Sequence, residues 1–308
     1  MLGTQKRTEI LRLRLKGQSI TDIGRTTKTR TYTVSRICAN YKRVVVISDT
    51  HCGDRSGLTP MPDELTIDNP NIDEWQRQRI EMWQWYEKTM AALQPIDVLV
   101  VDGDCIAGKG TKSGGTELLT ADRVKQVEMA EECIRLAKAP QIVMTYGTPY
   151  HTGTEEDWEA VLANNLKKTT SVSISGHEWF RANNIVFDVK HYIGNSSIPH
   201  GRMTPIARAK LWNIIWNSDN EKQPKSQIIL RGHVHNLNYC GGADWMGFTL
   251  PCLQGWGDKF GVRRCEGKID IGLLWFDIPK DAVGVQDISF RWDIPSFTTQ
   301  TVEVRKIL

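Results

Sequence analysis

Aspartate and histidine residues recur where five apolar runs of this 308-residue sequence end. They are Asp49, His51, Asp104, His151, His191, His233 and His235. Carboxylates and imidazoles in one set are ligands that suit Mn²⁺, Fe or Zn²⁺ better than the all-oxygen sites that Mg²⁺ or Ca²⁺ prefer. Two such cations held side by side can activate water and clamp a phosphate for in-line attack. These residue types therefore predict a metal centre.

The runs that precede these residues are rich in β-branched residues and are predicted to be buried strands. They read VVVIS, IDVLVVD, QIVMTYG, NIVFDVK and SQIILRG. In α/β proteins the carboxyl ends of parallel strands meet at one edge of the sheet. We therefore expect the acidic and imidazole side chains to converge at that edge, although each run taken alone is a weak signal.

The order of the motifs is more specific than any one of them. Asp-x-His, Gly-Asp, Gly-x-x-x-His, a single His and Gly-His-x-His follow one another between residues 49 and 235. This order resembles the calcineurin-like metallophosphoesterase superfamily over residues 43–280. The resemblance implies a four-layer αββα sandwich, in which two mixed sheets are flanked by helices and carry a two-metal centre at the strand ends.

The resemblance also implies a role for each matching residue. The first metal would be held by Asp49, His51 and His235, the second by His191 and His233, and Asp104 would bridge both. The implied cofactors are two divalent ions, with Mn²⁺ as the first expectation and Fe or Zn²⁺ as alternatives. A hydroxide that bridges the metals would then attack phosphorus.

The third motif departs from the superfamily pattern Gly-Asn-His-Asp/Glu. Thr148 stands where the Asn ligand would be, and His151 comes two residues late. We favour His151 as the general acid that protonates the leaving oxygen, with replacement of the missing metal ligand as the alternative. His200 competes with His191 for the fourth motif, and Thr148 and His200 both stay candidates for contact with metal or substrate.

The N-terminal segment carries a separate signal in its charge. Residues 1–43 hold eleven Lys and Arg against two acidic residues, so the remainder of a chain of net charge +3 is acidic. A concentrated positive charge of this kind is typical of a segment that binds a polyanion. We accordingly divide the chain into a basic module, 1–42, and a phosphoesterase domain, 43–308.

The basic module resembles a helix-turn-helix of the resolvase or transposase type. We expect three helices, with Thr8 as the first N-cap, Ser19 as the second, and the third running through Val34 and Ile37 to Tyr41. The residues expected to face a DNA groove or its phosphates are Arg30, Thr31, Tyr32, Thr33 and Arg36. The alternative is a three-helix module that binds a protein partner.

Other parts of the sequence complete the expected domain. Three amphipathic stretches after residue 120 are predicted to be sheet-covering helices, and DEWQRQRIEMWQWYEKTMAAL a further helix. GLLWFDI, ISFRWDI and TVEVRKIL are predicted to complete the second sheet. No apolar run approaches the roughly 20 residues of a membrane helix, and the scattered cysteines indicate reduced thiols, so we expect a cytoplasmic protein without a membrane partner.

These signals together predict a metal-dependent phosphodiesterase, foremost a nuclease that acts on DNA. Two alternatives stay open: a phosphatase or phosphodiesterase of small nucleotides with a partner-binding N-terminal module, and a DNA-binding regulator with a degenerate metal domain. A homodimer is compatible with either kind of DNA-binding protein.

Overall fold

The structure is a computed structural model that describes residues 4–38, 40–61, 67–68, 72–154, 156–196, 198–219, 222–255 and 269–297. Three helices come first: α1 (Thr4–Leu15), α2 (Ile20–Thr26) and α3 (Thr31–Cys38). They pack around a small apolar core of their own that includes Ile10, Leu13, Ile23, Val34 and Ile37.

The expected caps of these helices are only partly right. Ser19 caps α2, and its hydroxyl oxygen accepts the backbone N–H of Asp22 at 3.1 Å. Thr8 is not an N-cap, because α1 begins one turn earlier, at Thr4. Tyr41 is not helical either: it opens the first strand, since its segment pairs with a distant strand instead of continuing α3.

Eleven strands are found in the described part of the chain, and they form two sheets. In chain order they are β1 (Tyr41–Ser48), β2 (Val98–Asp102), β3 (Gln141–Thr145), β4 (Ser171–Ser175), β5 (Glu178–Ala182), β6 (Ile185–Val189), β7 (Ile228–Arg231), β8 (Asn238–Gly241), β9 (Met246–Thr249), β10 (Leu273–Pro279) and β11 (Ser289–Asp293). The first sheet has the order β11-β10-β1-β2-β3-β4 and the second β5-β6-β7-β9-β8. Within them β1, β2 and β3 run parallel to one another, as do β6 and β7.

Helices cover the outer faces of both sheets. They are α4 (Glu74–Leu93), α5 (Arg123–Arg135), α7 (Trp158–Leu166) and α8 (Thr204–Ser218), whereas the four-residue helix α6 (Pro149–Thr152) follows the end of β3. One core lies between the first sheet and α4, α5 and α7, a second lies between the two sheets, and α8 packs on β7, β8 and β9. The expected mixed α/β fold of two sheets with flanking helices is confirmed.

The C-terminal strands lie in a different sheet from the one predicted. β10 pairs antiparallel with β1 from Tyr41↔Pro279 to Val46↔Leu274, and β11 pairs with β10, so both belong to the first sheet. The second sheet is instead completed by β8 and β9, short strands that the sequence pattern did not single out. The predicted strand TVEVRKIL lies outside the described residues.

A buried pair of arginines joins the N-terminal helices to the rest of the protein. Arg14, from α1, donates to the carbonyl oxygens of Gln94 at 2.9 Å and Pro95 at 2.5 Å. Arg43, from β1, donates to both carboxylate oxygens of Asp277 at 2.8 Å and to the carbonyl oxygen of Arg14 at 2.6 Å. Burial, and then the charge of Arg43, lower the pKa of Arg14 to about 10.

Among the described residues, no helix combines the length and the apolar character needed to cross a membrane.

Candidate metal centre

The loops that follow five strand ends place acidic and imidazole side chains against one another. Three groups, each with ligand atoms within 4.8 Å of one another, occur among the described residues. They are Asp49, His51 and His235; Asp104, His191 and His233; and His51, Asp104 and His151. The first two groups contain the six residues proposed from the sequence as ligands of two metals, and Asp104 belongs to more than one group.

Backbone pairing continues past the strand ends and holds the first two loops in register. The N–H of Asp49 donates to the carbonyl oxygen of Gly103 at 3.1 Å, and that of His51 to Asp104 at 3.0 Å. Gly147 allows the third loop to approach, because a Cβ atom there would collide with the backbone and carboxylate of Asp104. Parallel pairing of β1, β2 and β3 thus extends directly into the site.

The backbone of the cluster is strained. Of the described non-glycine residues, eight have positive φ, and five of these are Asp49, His51, Asp104, His233 and His235, with φ between 43° and 69°. Each left-handed residue of this type costs about 1–3 kcal/mol and persists where surrounding contacts impose it. Concentration of this strain in one set of ligand-type residues indicates a site built for function.

Hydrogen bonds orient the members of the first group. His235 Nε2 lies 3.1 Å from Asp49 Oδ1, and the backbone N–H of His233 donates to Asp49 Oδ2 at 3.1 Å. Ser48 donates its hydroxyl to the same carboxylate and also contacts the carbonyl oxygen of Asp102. His51 Nε2 lies 3.3 Å from His235 Nε2, so both imidazole nitrogens are directed at the same small space.

His191 is held with one nitrogen towards the protein and the other towards the cluster. Its Nδ1 donates to the carbonyl oxygen of Asp102 at 2.6 Å, which leaves Nε2 3.1 Å from Asp104 Oδ2. Fixing one ring nitrogen on a backbone carbonyl is the usual way in which proteins orient a metal-ligating histidine. The Asp102 side chain is itself held by the Thr145 hydroxyl, and burial raises its pKa to about 6.

The residues present fit a pair of divalent cations. One ring nitrogen that faces the carboxylates, His191 Nε2, is buried without a properly oriented hydrogen-bond partner, although such groups are normally satisfied. The donor set mixes carboxylate oxygens with imidazole nitrogens, as Mn²⁺, Fe and Zn²⁺ sites do. His51 Nε2, Asp49 and Asp104 supply the remaining inward-facing donor atoms.

The protonation states of the cluster are set by its burial and its opposed charges. Burial alone would raise the pKa of Asp49 and of Asp104, but neighbouring histidines, His235 and His191, outweigh it and hold both carboxylates ionised. Burial, and then the nearby His151, lower the pKa of His51 to about 4, so this imidazole is neutral near pH 7. Ionised carboxylates and a neutral His51 are forms that bind metal, whereas burial is outweighed by neighbouring acidic groups that raise the pKa of His191 and of His235, whose protons a cation would displace.

Thr148 contacts the carboxylate that is shared between the groups. Its backbone N–H donates to Asp104 Oδ1 at 2.6 Å, and its hydroxyl lies 3.1 Å and 3.2 Å from the two oxygens. Thr148 therefore holds the Asp104 side chain by hydrogen bonds from both its backbone and its hydroxyl.

His151 stands at the rim of the cluster, on the short helix α6. Its Nδ1 lies 2.9 Å from the carbonyl oxygen of Ala107, and its ring packs edge-on against His51 with centroids 4.4 Å apart. Donation from Nδ1 to Ala107 directs Nε2 towards His51 and Asp104.

The remaining predicted residues lie outside the cluster. His200 is exposed in a short 3₁₀ helix, Pro199–Met203, and belongs to none of the three groups. Arg30, Thr31 and Tyr32 are exposed at the start of α3, whereas Thr33 is half-buried. Arg36 lies on the same helix, and its side chain is outside the described part of the structure.

Sequence reasoning missed Glu159, which is fully buried on α7. Its carboxylate accepts the backbone N–H of Cys105 at 2.8 Å and of Gly147 at 2.7 Å, and so ties the second loop of the site to the third. Burial, and then the charge of Asp104, raise the pKa of Glu159 to about 7. An acidic residue inside an amphipathic stretch gives no sequence signal of its own, because most such residues face solvent.

Sequence reasoning also missed a second buried network, which lies next to the ends of β6 and β7, the strands that precede His191 and His233. Asp188 pairs with Arg231 at 2.6 Å and with His177 at 2.9 Å, and Arg231 donates to the carbonyl oxygen of Asp188 at 3.1 Å. These residues lie just before His191 and His233 and fix the ends of β6 and β7 on each other. His177 thus has a structural role here, since it pairs with Asp188 and belongs to none of the ligand groups.

Comparison with known proteins adds the following. No protein-family model and no curated protein matches this sequence. Solved structures that match include a single-mutant form of Vps29 from Entamoeba histolytica, with 13% identity over 82% of this chain and 99% of that chain and a TM-score of 0.41. A structure described as a novel archaeal phosphodiesterase matches at 13% identity over 82% of this chain and 99% of its own, with a TM-score of 0.40.

A predicted phosphoesterase from Streptococcus pneumoniae matches at 10% identity, over 83% of this chain and 98% of that chain, with a TM-score of 0.34. Identities and TM-scores are low throughout. The functional conclusion accordingly rests on the geometry of the site itself.

Proposed function

We propose that this protein is a metal-dependent phosphodiesterase that cleaves DNA. The observation that carries the proposal is the pair of ligand groups at the strand ends, which contain two carboxylates and four imidazoles. Asp104, from the second group, also lies within 4.8 Å of a ring nitrogen of His51, from the first. Five of these six residues have left-handed backbones, which is a cost that a merely structural cluster would not need.

Each protein group has a task in this chemistry. Asp49, His51 and His235 would hold one cation and His191 and His233 the other, with Asp104 shared. The two cations, when bound, supply Lewis-acid activation of water and of the phosphate oxygens. Thr148 and Glu159 keep Asp104 and its loop in place for that task.

His151 is suited to donate a proton to the leaving oxygen. Its Nδ1 is anchored on Ala107, so its Nε2 faces the cluster from the rim, where a substrate would enter. A general acid must lie within hydrogen-bond reach of the leaving group, and a half-buried histidine at the rim can meet that requirement. The same ring could not donate if both of its nitrogens were engaged by the protein.

DNA is favoured as the substrate by the N-terminal helices. The segment holds eleven Lys and Arg against two acidic residues while the rest of the chain is net acidic, and Arg30 and Tyr32 are exposed at the start of α3. Basic residues bind phosphates by releasing condensed counterions, which makes binding steeply dependent on salt. Exposed Tyr and Thr residues beside them can contact sugar or base edges.

The decisive experiment compares Mn²⁺-dependent cleavage of single- and double-stranded DNA with hydrolysis of bis(p-nitrophenyl) phosphate. Asp104→Ala and His233→Ala should abolish both activities, whereas His200→Ala, an exposed histidine outside the cluster, should retain them. Hydrolysis of the aryl diester without cleavage of DNA would support the metal centre and contradict the proposed nuclease activity. Retention of DNA without any hydrolysis would favour the regulator.

The contribution of the N-terminal helices is best tested in the full chain, because deletion would expose Arg43 and the surface under Arg14. The double variant Arg30→Ala/Tyr32→Ala should weaken DNA binding and flatten its salt dependence while leaving hydrolysis of the aryl diester unchanged. Lys88→Ala, an exposed residue on α4 outside the basic module, is the matched control. Equal DNA affinity in all three proteins would contradict a role for α3.

A further inference from the structure

A cleft of about 400 Å³ opens next to the cluster at His151. Residues from three segments line it: Lys109, Thr111, Arg123, Tyr150, His151 and Glu156. Its volume falls within the roughly 300–1,000 Å³ of typical ligand pockets. Because His151 belongs both to this lining and to a ligand group with Asp104, the cleft adjoins the site of the proposed reaction.

The charges of the cleft favour an anion. Lys109 is exposed, and no ion pair of its ammonium group is found among the described residues. Arg123 pairs with Glu156 at 3.1 Å, and its guanidinium lies over the ring of Trp158, 4.6 Å from the centroid. Glu156 is 64% exposed, so Arg123 is held in place by a partner that a phosphate can replace at little cost.

The remaining wall of the cleft is aromatic and fixed. The hydroxyl oxygen of Tyr150 accepts the backbone N–H of Lys112 at 2.9 Å, and the Lys112 ammonium lies 4.4 Å from the centre of the ring. The edge of the same ring meets His151 with centroids 4.6 Å apart. The two basic side chains can bind a phosphate, and the ring of the tyrosine beside them can stack on a sugar or a base. Because this ring is already held in place, its contact costs little conformational entropy.

We propose that this cleft binds the nucleotide on the leaving-group side of the scissile bond, with Lys109 and Arg123 on its phosphate. The side follows from His151, which stands between cleft and cluster and would protonate the leaving oxygen. The inference rests on the proposed phosphodiesterase activity and deepens it, because a second phosphate is present in a polynucleotide strand and absent from an isolated phosphoester. The centre is thereby matched to a strand of DNA.

Replacement of Glu156 should change nucleotide affinity in the opposite direction from replacement of the basic residues. Lys109→Gln and Arg123→Gln remove a cation each, whereas Glu156→Gln removes the carboxylate that competes for Arg123. Lys125→Gln, an exposed lysine on α5 outside the lining, is the matched control. All variants are made with Arg30→Ala/Tyr32→Ala in the full chain, so that α3 does not contribute to the binding measured.

Binding of a dye-labelled thymidine trinucleotide is followed by fluorescence anisotropy in EDTA at several salt concentrations. Lys109→Gln and Arg123→Gln should each raise Kd about tenfold, the effect of one charge-assisted hydrogen bond. Each should also reduce the slope of log Kd against log salt by about 0.7. Glu156→Gln should lower Kd, and Lys125→Gln should leave it unchanged.

Turnover in Mn²⁺ supplies an independent readout. The cleft variants should lose kcat/KM for the trinucleotide while hydrolysis of bis(p-nitrophenyl) phosphate stays at the parent level. Equal Kd and equal kcat/KM in the parent, the cleft variants and the control would contradict nucleotide binding in the cleft. If the parent hydrolyses neither compound yet the variants shift Kd as expected, the proposed function fails and the nucleotide site stands.

Discussion

Thr148 and Asp104 are joined twice, through the backbone N–H of Thr148 at 2.6 Å and through its hydroxyl at 3.1 Å. Both donors meet a carboxylate that is 2% exposed, belongs to the second ligand group and also lies within 4.8 Å of a ring nitrogen of His51 in the first. The hydroxyl restrains the rotation of Asp104, and loss of such an outer hydrogen bond commonly reduces metal affinity or activity about 10- to 100-fold.

Replacement of that hydroxyl should therefore weaken the metal centre without unfolding the protein. We expect Thr148→Val to raise the Mn²⁺ concentration needed for half-maximal hydrolysis of an aryl diester about 10-fold or more. Thr148→Ser keeps the donor and should behave like the parent, which separates a hydrogen-bond effect from a change in packing. Equal Mn²⁺ requirements in the valine and serine variants would contradict this role.

Glu159 should matter both for stability and for the site. Glu159→Gln retains one acceptor but turns an NH₂ group towards the other backbone N–H, and leaving a buried donor unsatisfied costs about 1–3 kcal/mol. We expect a matching loss in the free energy of unfolding, measured in urea, and a raised Mn²⁺ requirement. Glu128→Gln, on the exposed face of α5, is the control and should change neither quantity.

Metal should stabilise the folded protein. A ligand that binds only the folded state adds about 2.7 kcal/mol at a concentration 100 times its Kd. The thermal midpoint should consequently rise on titration with Mn²⁺ and fall back with EDTA. Asp49→Asn should lose most of this rise and His200→Ala none of it; an unchanged midpoint in the parent would argue against a metal centre.

Asp188 should make the protein sensitive to acid. Burial raises the pKa of this carboxyl, but Arg231 and His177 outweigh burial and lower it below the ordinary value. A carboxyl with a lowered pKa stabilises the fold above its unfolded-state pKa, about 4, and this stabilisation is lost as pH falls further. Asp188→Asn should remove that dependence.

The same substitution leaves Arg231 buried beside a neutral side chain, and breaking a buried pair in this way costs about 3–5 kcal/mol. Urea unfolding at pH 7 measures this loss. Asp219→Asn, which opens an exposed pair with Lys222, is the comparison and should change the free energy of unfolding little. Similar losses in the two variants would show that Asp188 is not an anchor of β6 and β7.

Much of the site could be anticipated because its residues follow strands whose patterns are strong. Asp49 and Asp104 come after runs of β-branched residues that are buried on both faces, and the parallel order of β1 and β2 brings their ends together. The ligand types could thus be placed at one edge without knowledge of the sheets. His191 and His233 follow by the same reasoning from β6 and β7.

The supporting residues could not be found in this way, because their partners are distant in sequence and have no type preference. Glu159 acts on backbone N–H groups of Cys105 and Gly147, which any residue would offer. The left-handed backbone of His51 or His235 likewise leaves no mark in the sequence, since histidine commonly takes extended or helical φ.

The prediction of which sheet the C-terminal strands join was wrong for a related reason. The alternation of GLLWFDI predicts a strand, but its pairing with β1 depends on a register across more than two hundred residues. The N-cap at Ser19, by contrast, depends on a contact three residues away and was predicted correctly.

The arginine pair at Arg14 and Arg43 has a consequence for how DNA would be handled. Rotation of the N-terminal helices would strip the buried Arg14 guanidinium of its carbonyl partners and remove the Arg14 carbonyl from Arg43, so α3 keeps a constant distance from the strand ends. A protein that binds a polymer at one site and cleaves it at another, at a fixed separation, cleaves at a fixed distance from the bound segment. We expect fragments whose ends fall at a set number of nucleotides from the bound segment.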